Sequence, residues 1–370
     1  MSRALHCRMK FARVFAANCF FSFMLFSGGS KDFSALAQQP IQPPAPAEKR
    51  SGQQRNMETE TFRIAIHGGA GTIERSKMTA QREREYRAGL ERALAAGYGI
   101  LKRGGSSLDA TEAAVRVLED DPHFNAGKGS VFNSAGVNEM DAAIMDGKTL
   151  AAGAVASLRH VKNPISLARL VMEKSGHVMM DCEGAELFAK ENAVELVDGK
   201  YFFTQDRWDA LQKIKVAEKN RTTGASDFSI TDQDRHGTVG AVALDKHGNL
   251  AAATSTGGTT NKRPGRIGDS PVIGAGTYAN NATCAVSATG DGEYFIRATV
   301  AGDVSALMEY RGMSLKEAAQ TALEKVAKLR GGGGLVAIDH QGNVVLPFNT
   351  AGMYRGYSDP NGKFVIEIYR

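Results

Sequence analysis

The run His236-Gly237-Thr238-Val239-Gly240-Ala241-Val242-Ala243-Leu244-Asp245 constrains this chain more than any other. A polar segment, Thr231-Asp232-Gln233-Asp234-Arg235, gives way to a glycine, then a threonine, then an apolar stretch that reads as a buried strand. Threonine at the first residue of such a strand puts a hydroxyl at the end of a sheet. If the peptide bond before it is cut, the hydroxyl sits beside its own α-amine, an arrangement in which the amine acts as base and the hydroxyl as nucleophile. The amine's unperturbed pKa of about 7.7–8.0 suits proton transfer near neutral pH. A Gly-Thr pair by itself marks a loop-to-strand junction more often than a nucleophile. The reading therefore depends on the rest of the chain.

Residues 62–66 read as a first strand, and His67-Gly68-Gly69-Ala70-Gly71 as a glycine-rich turn behind it. There is no GxGxxG and no Walker lysine, so the turn reads as backbone packed close to a site, and His67 as a hydrogen-bonded core histidine. Residues 79–103 read as a helix with Tyr86, Leu90, Ala93, Leu94 and Leu101 on one face, closed by Gly104-Gly105. Residues 107–120 form a second, with Leu108, Ala114, Val115 and Leu118 inward. Strands are expected at 130–133, 139–145 and 151–157. Asn163-Pro164 reads as cap and first helical position of a helix through Met172. Residues 183–190 read as a short helix, and Trp208, Leu211 and Ile214 mark another. From about 217 to 237 the residues are polar, reading as a flexible tether ahead of the break. Hairpins are expected at 238–254 and 335–347, with two helices between them. The second helix opens with a capping box, Ser314 to Glu317, and ends at Gly331. Helices and hairpins on both sides of the break imply α/β layers around a shared core.

The first 37 residues are different material. Arg3, Arg8, Lys10 and Arg13 precede an apolar run over 14–26, too short for a comfortable membrane span, and Ala35-Leu36-Ala37 offers small residues for cleavage. This reads as a signal peptide, 1–37, of an exported protein, periplasmic or secreted, with no membrane attachment after cleavage; an uncleaved anchor is the alternative. Residues 38–60, rich in Pro, Gln, Ala and charge, read as a disordered linker. The leader carries five basic residues (Arg3, Arg8, Lys10, Arg13, Lys31) against Asp32, so the chain's net charge of +5 leaves only +1 for residues 38–370. The basic balance belongs to the leader, and no footprint for nucleic acid is left. Beyond the leader only Cys182 and Cys284 remain, and they read as two buried thiols more readily than as a disulfide. Neither HExxH nor CxxC is present, so no zinc site is expected.

Thr238 is the candidate nucleophile. In a hairpin turning near His247, Thr256 of Thr254-Ser255-Thr256-Gly257-Gly258 lies at the same end of the sheet, within reach of a hydrogen bond; an ordinary strand threonine is the plain alternative. Thr289-Gly290-Asp291-Gly292 reads either as an oxyanion loop, where glycine lets a backbone N–H approach, or as an Asp-Gly hairpin turn. Arg266 and Asp269 lie three residues apart in Gly265-Arg266-Ile267-Gly268-Asp269-Ser270-Pro271. They complement the carboxylate and ammonium of an α-amino acid, or else form a local salt bridge.

With Gly274-Ala275-Gly276-Thr277-Tyr278-Ala279 added, these motifs, from about Ile64 to Gly352, resemble the plant-type asparaginase / isoaspartyl peptidase family of N-terminal nucleophile hydrolases. The resemblance implies an αββα sandwich built from two autocleavage fragments, an α subunit of 61–237 and a β subunit of 238–370, split between Gly237 and Thr238. It implies catalytic roles for Thr238, Thr256, Thr289 and Gly290. Substrate contacts fall to Arg266, Ile267, Gly268, Asp269, Asp291, Gly292 and Asn125. The backbone carbonyls of Leu118, Glu119, Asp121, Phe124, Ala126 and Lys128 would wrap a structural sodium ion, with no cofactor for the chemistry. The implied substrates are the small molecules L-asparagine and β-aspartyl dipeptides, and the implied assembly is a dimer of αβ heterodimers. A glycosylasparaginase is the rival enzyme; Gly237 before the nucleophile and Gly257-Gly258 after Thr256 stand against it. A non-catalytic periplasmic amino-acid binding protein is the rival of a different class.

Overall fold

The structure, a computed structural model, describes residues 61–220, 237–359 and 361–370. The expected signal peptide, the 38–60 linker and residues 221–236 of the tether lie outside the described residues.

Strand β1 (Arg63–Gly71) runs on through the glycine-rich segment expected to be a turn. His67 pairs with Gly240 on one side and Arg355 on the other, and a bulge between His67 and Gly69 absorbs an extra residue. Only glycine tolerates this course: Gly69 has φ +112°, and its Cβ would fall 2.8 Å from the Cα of Gly237. Helices α1 (Ala80–Lys102) and α2 (Ser107–Glu119) follow, capped by Thr79 and Ser106, whose side chains accept from the N–H groups of Arg82 and Asp109.

Strands β2 (Met140–Asp146) and β3 (Ala152–Leu158) form a hairpin, followed by α3 (Pro164–Lys174), β4 (Met179–Asp181), α4 (Cys182–Glu191) and α5 (Gln205–Asn220). Two local readings need correction here. Residues 130–133 are not a strand. Only Phe132 bridges to Asn138, and the Asn125, Asn133 and Asn138 side chains take up nearby backbone groups instead. Asn163 stands at the N-cap of α3 with Pro164 in its first turn, as read, but its side chain makes no capping bond and its Nδ2 donates to Asp120 instead. Residues 217–220 are helical, part of α5, whose Glu218 accepts from Asn261. Of the two cysteines among the described residues, Cys284 is buried as expected and Cys182 is exposed, and both are free thiols.

The second half supplies β5 (Val239–Leu244), β6 (Leu250–Thr256), β7 (Thr277–Ala279), β8 (Cys284–Gly290), α6 (Gly292–Ala298), α7 (Val300–Arg311), α8 (Leu315–Lys328), β9 (Gly333–Asp339), β10 (Val344–Val345), β11 (Gly352–Ser358) and β12 (Phe364–Tyr369). The short α6 takes the place of a hairpin arm after Thr289-Gly290-Asp291, so the Asp-Gly pair is a helix start. The stop of α8 also moves by one residue. Arg330, at φ +68°, holds the left-handed position, with Arg330 N bonding to Ala327 O and Gly331 N to Val326 O.

Among the described residues, one sheet has eight strands in the order β12-β11-β1-β5-β6-β2-β3-β4 and the other has four, β10-β9-β8-β7. Strand β5 alternates its two faces, as a buried strand must. Val239, Ala241 and Ala243 join a core with Leu90, Leu94, Val115 and Leu118 of α1 and α2. Val242 and Leu244 join a second core with Ala285, Val336 and Ile338 of the smaller sheet. That sheet buries Val286 and Leu335 against Val304, Leu323 and Val326 of α7 and α8. Each fully buried Leu, Ile or Val contributes about 1.5–3 kcal/mol. Strand β5 is therefore held between neighbours on both edges and both faces, a rigid mount for the residue at its start.

Candidate active site

Val239 pairs with Ser255 and Gly240 with Thr254, so residues 238 and 256 face each other at the sheet end. Thr238 Oγ1 lies 3.1 Å from Thr256 Oγ1, and Gly258 N donates to that same Thr256 oxygen at 2.9 Å. Both threonines are buried, Thr238 at 6% exposure and Thr256 at 1%. Asn125 holds the following turn: its Nδ2 donates to Gly258 O at 2.7 Å, and its Oδ1 accepts from Val131 N at 3.0 Å. Asn125 thus supports the Thr256 loop from beneath.

The backbone of Thr238 is held just as closely. Its N–H donates to Thr289 Oγ1 at 3.1 Å, and Ala70 N donates to the same oxygen at 3.2 Å. With both lone pairs of Thr289 used, its own proton is left to donate elsewhere. The carbonyl of Thr238 faces His67 Nδ1 at 2.9 Å. His67 is fully buried, and burial pushes its pKa down to about 3, so the ring is neutral at working pH. A neutral ring donating from Nδ1 must accept at Nε2, where Ser287 Oγ lies at 2.9 Å. Ser287 in turn accepts from Thr254 at 2.7 Å, and Thr254 from Thr277 at 2.6 Å. A chain of buried hydroxyls, all oriented one way, thus ends on the Thr238 carbonyl. Gly240 is glycine because a Cβ there would meet Ser287 Oγ and His67 Nε2.

Gly237 is pressed against β1, where a Cβ would fall on Gly69 Cα and 2.5 Å from Ala70 N. It borders a cavity of about 320 Å³ whose lining includes Gly290, Asp291, Arg330 and Thr350. Gly290 ends β8 opposite Gly333, while Asp291 accepts from Gly332 N at 2.8 Å and caps the α6 end of the loop by position.

Arg266 does not bond Asp269. Its Nε and Nη2 make a two-pronged pair with Glu293, both at 2.9 Å. Asp269 is buried, with Oδ2 bonded to nothing among the described residues, and burial pushes its pKa up to about 7 against the pull of Arg266. Gly292 lies between the two: a Cβ there would sit 2.9 Å from both Arg266 Nη2 and Asp269 Oδ1. Gly268 packs under the guanidinium, 2.8 Å from Nη1 by the same construction, and half-buried Ile267 spaces the pair. An orphaned buried carboxylate oxygen beside a guanidinium suits a ligand carrying both an ammonium and a carboxylate.

The last turn of α2, with Leu118 and Glu119, and the loop after it carry the six carbonyls named for sodium. A Cβ at Gly127 would meet Glu119 O, and one at Gly129 would meet Phe124 O, so the carbonyls crowd inward. Those of Asp121, Phe124 and Ala126 accept N–H groups at 3.3, 3.0 and 3.1 Å, each keeping a second lone pair. Such neutral oxygens fit a monovalent cation. The charges nearby turn away: Asp121 pairs with Arg92 at 2.8 Å, and Lys128 stacks over Tyr201. The Glu119 side chain leaves the loop to accept from Ser255 Oγ at 2.6 Å and Ile165 N at 3.0 Å, and burial pushes its pKa up to about 8.

The structure gathers Thr238, Thr256, Thr289, Gly237 and Gly290 at one corner, with Asn125 behind and the Arg266–Asp269–Gly292 group beside it. Several participants were not picked out in the sequence. Ser270 Oγ lies 3.4 Å from Thr238 Oγ1, Glu293 holds Arg266, Ala70 N shares Thr289, and His67 with Ser287 fixes the Thr238 carbonyl. Ser270 and Glu293 are immediate neighbours of assigned residues, a signal that was present; nothing local in the sequence joins His67 to Thr238.

A buried threonine pair at a strand end, flanked by a carboxylate and a guanidinium, suits an amide-cleaving hydrolase in which a hydroxyl attacks. Residues 60–367 match the asparaginase family, and the chain belongs to it. It is 52% identical over 311 residues to an isoaspartyl peptidase of Escherichia coli (strain K12), covering 83% of this chain and 96% of that protein. It is 44% identical over 326 residues to a probable isoaspartyl peptidase/L-asparaginase 2 of Arabidopsis thaliana, covering 83% and 98%. The isoaspartyl peptidase/L-asparaginase of Mus musculus is 46% identical over 291 residues, covering 78% and 86%.

Proposed function

We propose that this chain is a self-processing amidohydrolase that cleaves β-aspartyl dipeptides and L-asparagine through an acyl-threonine ester. The observation that carries the reading is that both reacting atoms of Thr238 face hydroxyls: Oγ1 is 3.1 Å from Thr256 and N is 3.1 Å from Thr289. The helix-on-sheet, sheet-on-sheet and sheet-on-helix cores support an αββα sandwich, which the cut before Thr238 would divide into two fragments.

Maturation attacks the Gly237 carbonyl with Thr238 Oγ1, shifts the acyl group from N to O, and hydrolyses the ester with water. The freed Thr238 amine, held at Thr289 Oγ1, then takes the hydroxyl proton during turnover. Thr256 steadies the attacking oxygen. Thr289 has its remaining proton, and Gly290 its N–H, for the oxyanion. Arg266 takes the substrate α-carboxylate and Asp269 its α-ammonium, which leaves the side-chain carbonyl at Thr238. The leaving amine departs protonated, and water releases L-aspartate. A sodium ion on the 118–128 carbonyls would stiffen the loop that carries Asn125.

Thr238→Ala provides the test. The active protein should run as two fragments on a denaturing gel, and mass spectrometry should place one new terminus at Thr238. The variant should stay uncut and inert. An uncut wild type that hydrolyses β-aspartyl dipeptides would refute the mechanism. Activity on glycosylated asparagine but not on the dipeptides would favour the rival enzyme. Export with removal of residues 1–37, and pairing of two αβ units, belong to the same proposal and are read from the mature N-terminus and the mass in solution.

A further inference from the structure

The cavity beside Gly290 has a feature that the catalytic reading leaves unused. Arg330 lines it, and its guanidinium has no hydrogen-bond or ion-pair partner among the described residues. Its backbone sits at φ +68°, where glycine is the usual residue at a helix end. The next two residues tie this corner to the oxyanion loop: Gly332 N donates to Asp291 Oδ2 at 2.8 Å, and Asp291 N donates to Gly332 O at 2.9 Å.

Resting on the proposed function, we infer that Arg330 binds a carboxylate of the leaving residue of β-aspartyl dipeptides, which makes the cavity the leaving-group subsite. A substrate acyl carbon at Thr238, with its oxygen toward Thr289 and Gly290, sends the departing residue past Gly290 and Asp291. That path enters the cavity of about 320 Å³, room for an amino acid. In a dipeptide, the carboxylate two bonds beyond the amide nitrogen then meets a wall bearing Asp291. A negative group is tolerated there only with a cation opposite, and Arg330 supplies it with a planar fork that suits a carboxylate. L-Asparagine releases ammonia and places nothing in this space.

The test compares β-aspartyl-leucine, its C-terminal amide, a β-aspartyl-glutamate amide and L-asparagine on the wild type, Arg330→Gln and Arg330→Gly. The glycine variant fits the left-handed position, so a folded protein is available in either case. Wild type should favour the free acid over the amide by about tenfold or more in kcat/KM, both variants should erase that preference through KM, and L-asparagine should stay within about twofold. A preference confined to the glutamate side chain would assign the arginine to that carboxylate and support the shared chemistry. Equal losses on L-asparagine, or an unchanged preference in both variants, would overturn the subsite. A wild type inert on all four would overturn the proposed function, and this inference with it.

Discussion

Replacing Thr256 by valine keeps shape and removes one oxygen, which makes it the sharpest probe of the site. That oxygen has two partners, Thr238 Oγ1 at 3.1 Å and Gly258 N at 2.9 Å, and it is 1% exposed. Losing it strands a buried N–H at Gly258, which costs about 1–3 kcal/mol of stability. Each kcal/mol lowers Tm by roughly 2–4 °C in a domain of moderate size. The catalytic loss is separate. As Thr238 Oγ1 gives up its proton, a hydroxyl donating to it becomes a charge-assisted bond, worth about 1.5–3 kcal/mol. Converted at about 1.4 kcal/mol per tenfold, this is a fall of roughly 10- to 150-fold in kcat. Thr256→Ser keeps the oxygen and should retain most of both. The assay is steady-state hydrolysis of β-aspartyl-leucine on fully processed enzyme, alongside thermal unfolding. If valine and serine lose kcat equally, or valine is thermally weakened at unchanged kcat, the hydroxyl does not act on the nucleophile and the reasoning fails.

Gly237→Ala should slow processing strongly, because a Cβ there would fall 2.5 Å from Ala70 N on a strand held from both sides; a time course on denaturing gels would show it, and wild-type cleavage would contradict the packing argument. Asp269 gives a pH signature. Its pKa is raised from 3.8 to about 7, so the native state holds the extra proton and ligand-free stability should fall as pH rises through that window. Asp269→Asn should flatten this slope in melts taken between pH 5 and 8, and raise KM for L-asparagine. Ser287→Ala breaks the hydroxyl chain behind His67, leaving Nε2 without its donor; kcat should drop with KM little changed, and a drop that only tracks the folded fraction in thermal melts would assign Ser287 to stability alone.

Much of what depends on residues within a turn or a hairpin was legible in the chain itself. The cap at Ser314, the apolar faces of α1, α2 and α8, and the β5–β6 register that sets 238 against 256 follow from periodicity and short loops. Thr238 could be proposed as nucleophile for the same reason: its partner Thr256 is only 18 positions away. What the chain could not reveal is set by contacts between distant segments. His67 meets Thr238 across 171 positions and Ser287 across 220. The glycine-rich segment reads locally as a turn, and becomes strand only because β5 and β11 flank it. Arg266 turns to Glu293 and not to nearby Asp269, because α6 brings that carboxylate alongside; Arg330 faces a cavity because α8 ends one residue early. Local stereochemistry fixes elements and short-range pairs, while burial and sheet packing choose which distant polar groups share a low-dielectric corner, and that choice exists only once the layers close.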